Sequence, residues 1–136
     1  MNAGAFRMSA DQRYTRDRRD RLVDPDARES ERNYALVTHL SLLAMHATFI
    51  PILGPILWYI RRSDTPFLDD HGREAVNFQI SILIYMLISI VLTPVLIGFP
   101  MVIGVYVLAI IGCVRGAMAS HRGQFFRYPM CIRLLG

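Results

Sequence analysis

Between residues 76 and 114 no side chain carries a formal charge. A soluble core cannot use so long an uncharged run, because a buried element alternates with solvated faces and charged turns. With 53% of its 136 residues hydrophobic and a mean hydropathy of +0.32, the chain reads as an integral membrane protein of all-α class. In lipid a lone strand would leave its backbone groups unpaired, so β-branched residues in this run do not argue for sheet.

Residues 1–33 contrast with this run. They hold eight arginines and seven acidic residues without apolar periodicity, the pattern of a solvated, disordered cytoplasmic arm. Its charge of only +1 gives no expectation of nucleic-acid binding. The arm has no apolar h-region of a signal peptide, so the first hydrophobic segment is expected to direct insertion.

Three hydrophobic segments are expected within residues 34–118. The first, 35–60, has no formal charge and would measure about 39 Å as one helix, enough to cross a hydrocarbon core of roughly 30 Å. Pro51, Gly54 and Pro55 should kink or break it, and Trp58 and Tyr59 followed by Arg61 and Arg62 mark an interface. The second, 76–98, follows the helix-start residues Thr65, Pro66, Asp69 and Asp70. A turn at Gly98, Phe99 and Pro100 leads into the third, 101–118, and Gly123 should stop that helix. The tail, 119–136, mixes aromatic and aliphatic residues with Arg127 and Arg133 and is expected to lie on the membrane surface.

Two topologies compete. Three full spans divide the arginines eight against seven across the membrane, so the positive-inside rule decides nothing. A re-entrant first segment puts all fifteen on one side. The length of segment 35–60 favours three spans in a bacterial inner membrane.

Glu74, Asn77 and Ser81 fall on one helical face, and Arg115 on the third segment lies at a similar depth. These four are the candidate polar cluster, expected to fasten the second segment to the third. Gly112, Gly116 and Ser120 repeat at intervals of four, a spacing that lets helices approach closely, within the chain or between copies. His39 and His46 share a face but lie about 10 Å apart on a straight helix, too far to hold one metal. No cofactor or metal site is expected, Cys113 and Cys131 form no ligand motif, and the apolar region holds no acyl-transfer triad, phosphate loop or metalloprotease motif.

Several motifs together resemble a family of small bacterial membrane proteins of unknown function, likened to the twenty-kilodalton membrane subunit of the chloroplast inner-envelope import translocon. They are His39-Leu40-Ser41, His71, the segment Glu74-Ala75-Val76-Asn77-Phe78-Gln79 and the ending Gly123-Gln124-Phe125-Phe126-Arg127-Tyr128-Pro129. The resemblance implies a helical membrane domain of three or four hydrophobic helices and lends no catalytic residues. The expected function is therefore a non-catalytic subunit or partner-binding component of a membrane assembly, in contact with the lipid bilayer and with other membrane proteins or copies of itself. The alternative is a homo-oligomeric channel or transporter subunit lined by Thr38, His39, Ser41, His46 and the Glu74 cluster.

Overall fold

The computed structural model describes residues 15–16, 21–48 and 53–135, without the side chains of 45–48. Four helices carry the fold: α1 (Glu29–Thr48), α2 (Leu53–Arg61), α3 (Pro66–Val91) and α4 (Gly98–His121). Only α3 and α4 are long and apolar enough to cross a membrane among the described residues.

Thr65 starts α3 as expected from its hydroxyl chemistry. Its backbone is extended, its side chain accepts from the Leu68 amide, and Pro66 occupies the first turn, where a missing N–H costs nothing. The helix ends at Val91, short of the expected 98. Pro94 cannot donate into the helical ladder, so the chain turns through a 3-10 segment, Thr93–Val95, with Leu96 left-handed at φ 63°. The turn therefore precedes Gly98, which begins α4. A Cβ at Gly98 would stand 2.1 Å from the Ser89 carbonyl oxygen, so only glycine permits this approach.

The first hydrophobic segment is not one helix. α1 and α2 run antiparallel: the Tyr34 hydroxyl donates to the Leu57 carbonyl at 2.7 Å, while Gly54, near the other end of α2, packs on Leu42 and Ser41. Arg61 stacks over the Tyr34 ring, returning the chain to the end where α1 begins. Gly54 and Pro55 lie in the first turn of α2; Pro51 falls outside the described residues. At nine residues, or about 14 Å, α2 is too short to cross.

Part of the expected arm is built into the fold. Thr15–Arg16 and Leu22–Val23 form a short antiparallel ladder, and Val23 bridges to Gln124. α1 starts at Glu29, before the expected boundary at residue 34.

The tail begins with a helix stop. Gly123, at φ +69°, closes α4 with paired bonds from its own amide to Ser120 and from Gln124 to Ala119, each 3.0 Å, the Schellman arrangement. Residues 124–135 then fold back along the helices, burying Gln124 and Tyr128 while Arg127, Pro129, Met130, Ile132, Arg133 and Leu134 stay exposed. Tyr128 is 3% exposed and joins Leu42, Phe78, Ile82, Ala109 and Cys113 in the main core.

Candidate functional site

A single stripe of α3 organises the tail. Asp70, Glu74, Asn77, Ser81 and Tyr85 are spaced four, three, four and four apart, so their side chains share a face. Each one bonds a different part of residues 127–135. The Arg127 guanidinium donates twice to Asp70, at 2.7 Å for both bonds. Glu74 accepts from the Tyr128 amide at 3.3 Å and from Arg133 Nε at 3.2 Å. The Asn77 amide oxygen accepts from Leu134 and Leu135 at 3.0 and 2.9 Å, and its nitrogen donates to the Leu135 carbonyl at 3.0 Å. Ser81 Oγ accepts from the Ile132 amide at 2.8 Å, and the Tyr85 hydroxyl donates to the Met130 carbonyl at 2.7 Å.

These contacts fix the tail as a hook. It descends from Arg127, beside Asp70, to Met130, beside Tyr85, reverses at Met130 with φ 53°, and climbs back to Leu135 beside Asn77. Backbone amides that would be unsatisfied at such depth are thereby paired.

Glu74, Asn77 and Ser81 thus share a face as their spacing predicts, but their partner is the tail and not α4. Arg115 is exposed on α4, and Arg127 and Arg133 face Glu74 in its place. The bidentate bond to Asp70 raises the pKa of Arg127 above its usual value.

Beneath the hook lies a buried aromatic chain. His39 Nδ1 is 2.6 Å from the Tyr128 hydroxyl, and His39 Nε2 is 2.8 Å from His71 Nδ1. Tyr128 stacks on Phe78 with centroids 3.9 Å apart. Burial pushes the Tyr128 hydroxyl far above its ordinary pKa, keeping it neutral. Both imidazoles are fully buried, and among the described residues neither has a carboxylate within salt-bridge distance; an unpaired charge in a core is costly, so the three groups form one neutral chain.

The small residues of α4 make room for this chain. A Cβ on Gly112 would lie 2.6 Å from Phe78 Cζ, and one on Gly116 would lie 2.9 Å from both His39 Nδ1 and the Tyr128 hydroxyl. Ser120 is buried and its hydroxyl donates to the Ala117 carbonyl at 2.9 Å. The stripe therefore admits side chains of α1, α3 and the tail.

His39 and His71 are too close for a metal between them. Two nitrogens bound to one tetrahedral ion at ~2.0–2.1 Å must lie more than about 3 Å apart. Among the described residues no three His, Cys, Asp or Glu side chains gather into a metal site. The side chain of His46 lies outside the described residues. Thr38 and Ser41, expected to line a pathway, are buried and spend their hydroxyls on the Tyr34 and Thr38 carbonyls of their own helix.

The remaining positions of the sequence motifs fall into the same unit. Gln79 is buried near Gly54, and Trp58 donates to Asp69 at 2.9 Å, with Gly72 so close that a Cβ there would overlap the indole. The tail partners of the α3 stripe escaped the sequence reading because residues 124–135 have no periodicity. The signal that could have found them was two arginines, Arg127 and Arg133, opposite the otherwise uncompensated Glu74.

No curated protein and no solved structure matches the chain significantly. A family match covers residues 30–135 and so contains the α3 stripe, the histidine pair and the tail. It agrees with a small bacterial membrane family and lends no support to the expected likeness to the chloroplast translocon subunit. With two helices able to cross a bilayer, this makes the chain a membrane protein. It belongs to the MamF/MmsF family, described as the magnetosome magnetite crystal formation protein family.

Proposed function

We propose that the chain is a non-catalytic, multi-pass component of the membrane in which magnetite crystals form, acting through other membrane proteins. The observation that supports this most is the chemistry of its two ends. All fifteen arginines fall outside the charge-free run, and the reversal of α1 on α2 brings Arg61 and Arg62 to the end that holds the described part of the arm, the tail's arginines and Arg115. By the positive-inside rule that end faces the cytoplasm.

The opposite end, residues 92–97, carries Leu, Thr, Pro, Val, Leu and Ile. Its one hydroxyl, on Thr93, is bonded to the Ser89 carbonyl at 3.1 Å. Among the described residues, this segment offers no carboxylate, imidazole or thiol with which to gather iron ions. An influence on crystal growth then runs through partners in the membrane or on its cytoplasmic face. The channel alternative draws less support, because Thr38, His39, Ser41, Glu74, Asn77 and Ser81 of its expected lining are packed inside one copy of the chain.

The test uses a magnetite-forming bacterium stripped of its own family members. Expressing this chain should shift crystal size toward normal in electron micrographs, and photo-crosslinking from exposed α4 positions should capture membrane neighbours. Unchanged crystals, or a protein that purifies as a lone monomer without crosslinked neighbours, contradict the reading.

A further inference from the structure

We propose that a groove between α1 and α4 binds one anionic phospholipid of the surrounding bilayer. The groove has a volume of ≈ 340 Å³ and is walled by Leu36 and Leu40 of α1 and by Val114 and Met118 of α4. Its rim carries His121 and Arg122. Apolar walls below a cationic rim match a lipid whose acyl chain lies in hydrocarbon and whose phosphate lies at the interface.

Depth supports the assignment. Gly116 abuts His39, which bonds His71, and Trp58 packs against Gly72 one residue further on. Arg115 therefore sits at the level of the Trp58 and Tyr59 belt, where headgroups begin. Arg115 and Arg122 are seven residues apart, about 10.5 Å along one stripe of α4, and both are exposed. A long side chain on the lower one can snorkel toward the phosphate.

Charge supports it as well. At this same end Arg61, Arg73, Arg127 and Arg133 each face a carboxylate, of Asp64, Asp69, Asp70 and Glu74 respectively. Among the described residues no carboxylate pairs with Arg115 or Arg122. Two cations without a carboxylate partner among the described residues, beside an open apolar groove at headgroup depth, form a site that zwitterionic lipid satisfies less well than anionic lipid.

Native mass spectrometry of the detergent-purified protein tests this with added phosphatidylglycerol or phosphatidylcholine. The wild type should retain phosphatidylglycerol preferentially. Arg115→Gln with Arg122→Gln should weaken that binding about thirtyfold, at ~1 kcal/mol per arginine. Leu40→Trp, at a position 40% exposed, should fill the groove and displace lipid while leaving the lipid-free unfolding transition unchanged. Inorganic phosphate should neither bind nor stabilise. Equal retention of both lipids, or phosphatidylglycerol binding indifferent to all three substitutions, overturns the proposal. So does a dimer that Leu40→Trp dissociates, since the groove would then be a contact between copies.

Discussion

Asn77 bears more of the tail's attachment than any charge in the site. Its side chain is 1% exposed and satisfies two amides and one carbonyl of the tail. Asn77→Leu removes the acceptor of two part-buried N–H groups, at about 1–3 kcal/mol for an unpaired group. The expected loss is about 1–3 kcal/mol, read as a lowered midpoint of detergent unfolding. Arg127 offers the contrast. Its bonds to Asp70 are short, but its side chain is 51% exposed, so Arg127→Ala should cost only about 0.5–1 kcal/mol. Tyr128→Phe removes one hydroxyl from the neutral chain and strands a ring nitrogen of His39, which should lower stability by about 1–3 kcal/mol in detergent unfolding.

At the scale of elements, glycine spacing on α4 separates packing from exposure. Gly116 faces His39 and Tyr128, whereas a Cβ at Gly104 meets nothing within 4 Å. Thermal unfolding should show Gly116→Leu destabilising by about 3 kcal/mol through overpacking, and Gly104→Leu near neutral. The spacing of Gly112, Gly116 and Ser120 made this face legible as a close-packing stripe, and that of Glu74, Asn77 and Ser81 made theirs legible as one polar face. Neither spacing says what arrives there. Apart from the side chains of Arg127 and Arg133, the hook is held through its backbone at Tyr128, Met130, Ile132, Leu134 and Leu135, so most of its identity as a partner is a tertiary fact. The turn after α3 was misplaced for a local reason: Pro94 sits inside an apolar run and reads as part of a span, while Gly98 and Pro100 look like the turn.

Across the whole molecule, α3 from Glu74 to Val91 and α4 from Gly98 to Arg115 each cover about 27 Å, close to the thickness of a hydrocarbon core. Above that band lie the paired charges, Trp58 and the described arginines; within it, Leu87, Ile90, Val91, Ile103 and Ile110 are exposed, as suits lipid-facing positions. The reversal of α1 on α2 is what makes this distribution one-sided. Hydropathy could not show it, because an uncharged segment of 35–60 has the length of a span whether or not it turns back.

Single cysteines at Asn33, Arg61, Phe99 and Arg133, labelled from each side of the membrane in spheroplasts and inverted vesicles, test that reversal most directly. The account predicts that Asn33, Arg61 and Arg133 label together and that Phe99 alone labels from the opposite side. Labelling of Asn33 with Phe99, opposite Arg61 and Arg133, would mean that the first segment crosses and would contradict it.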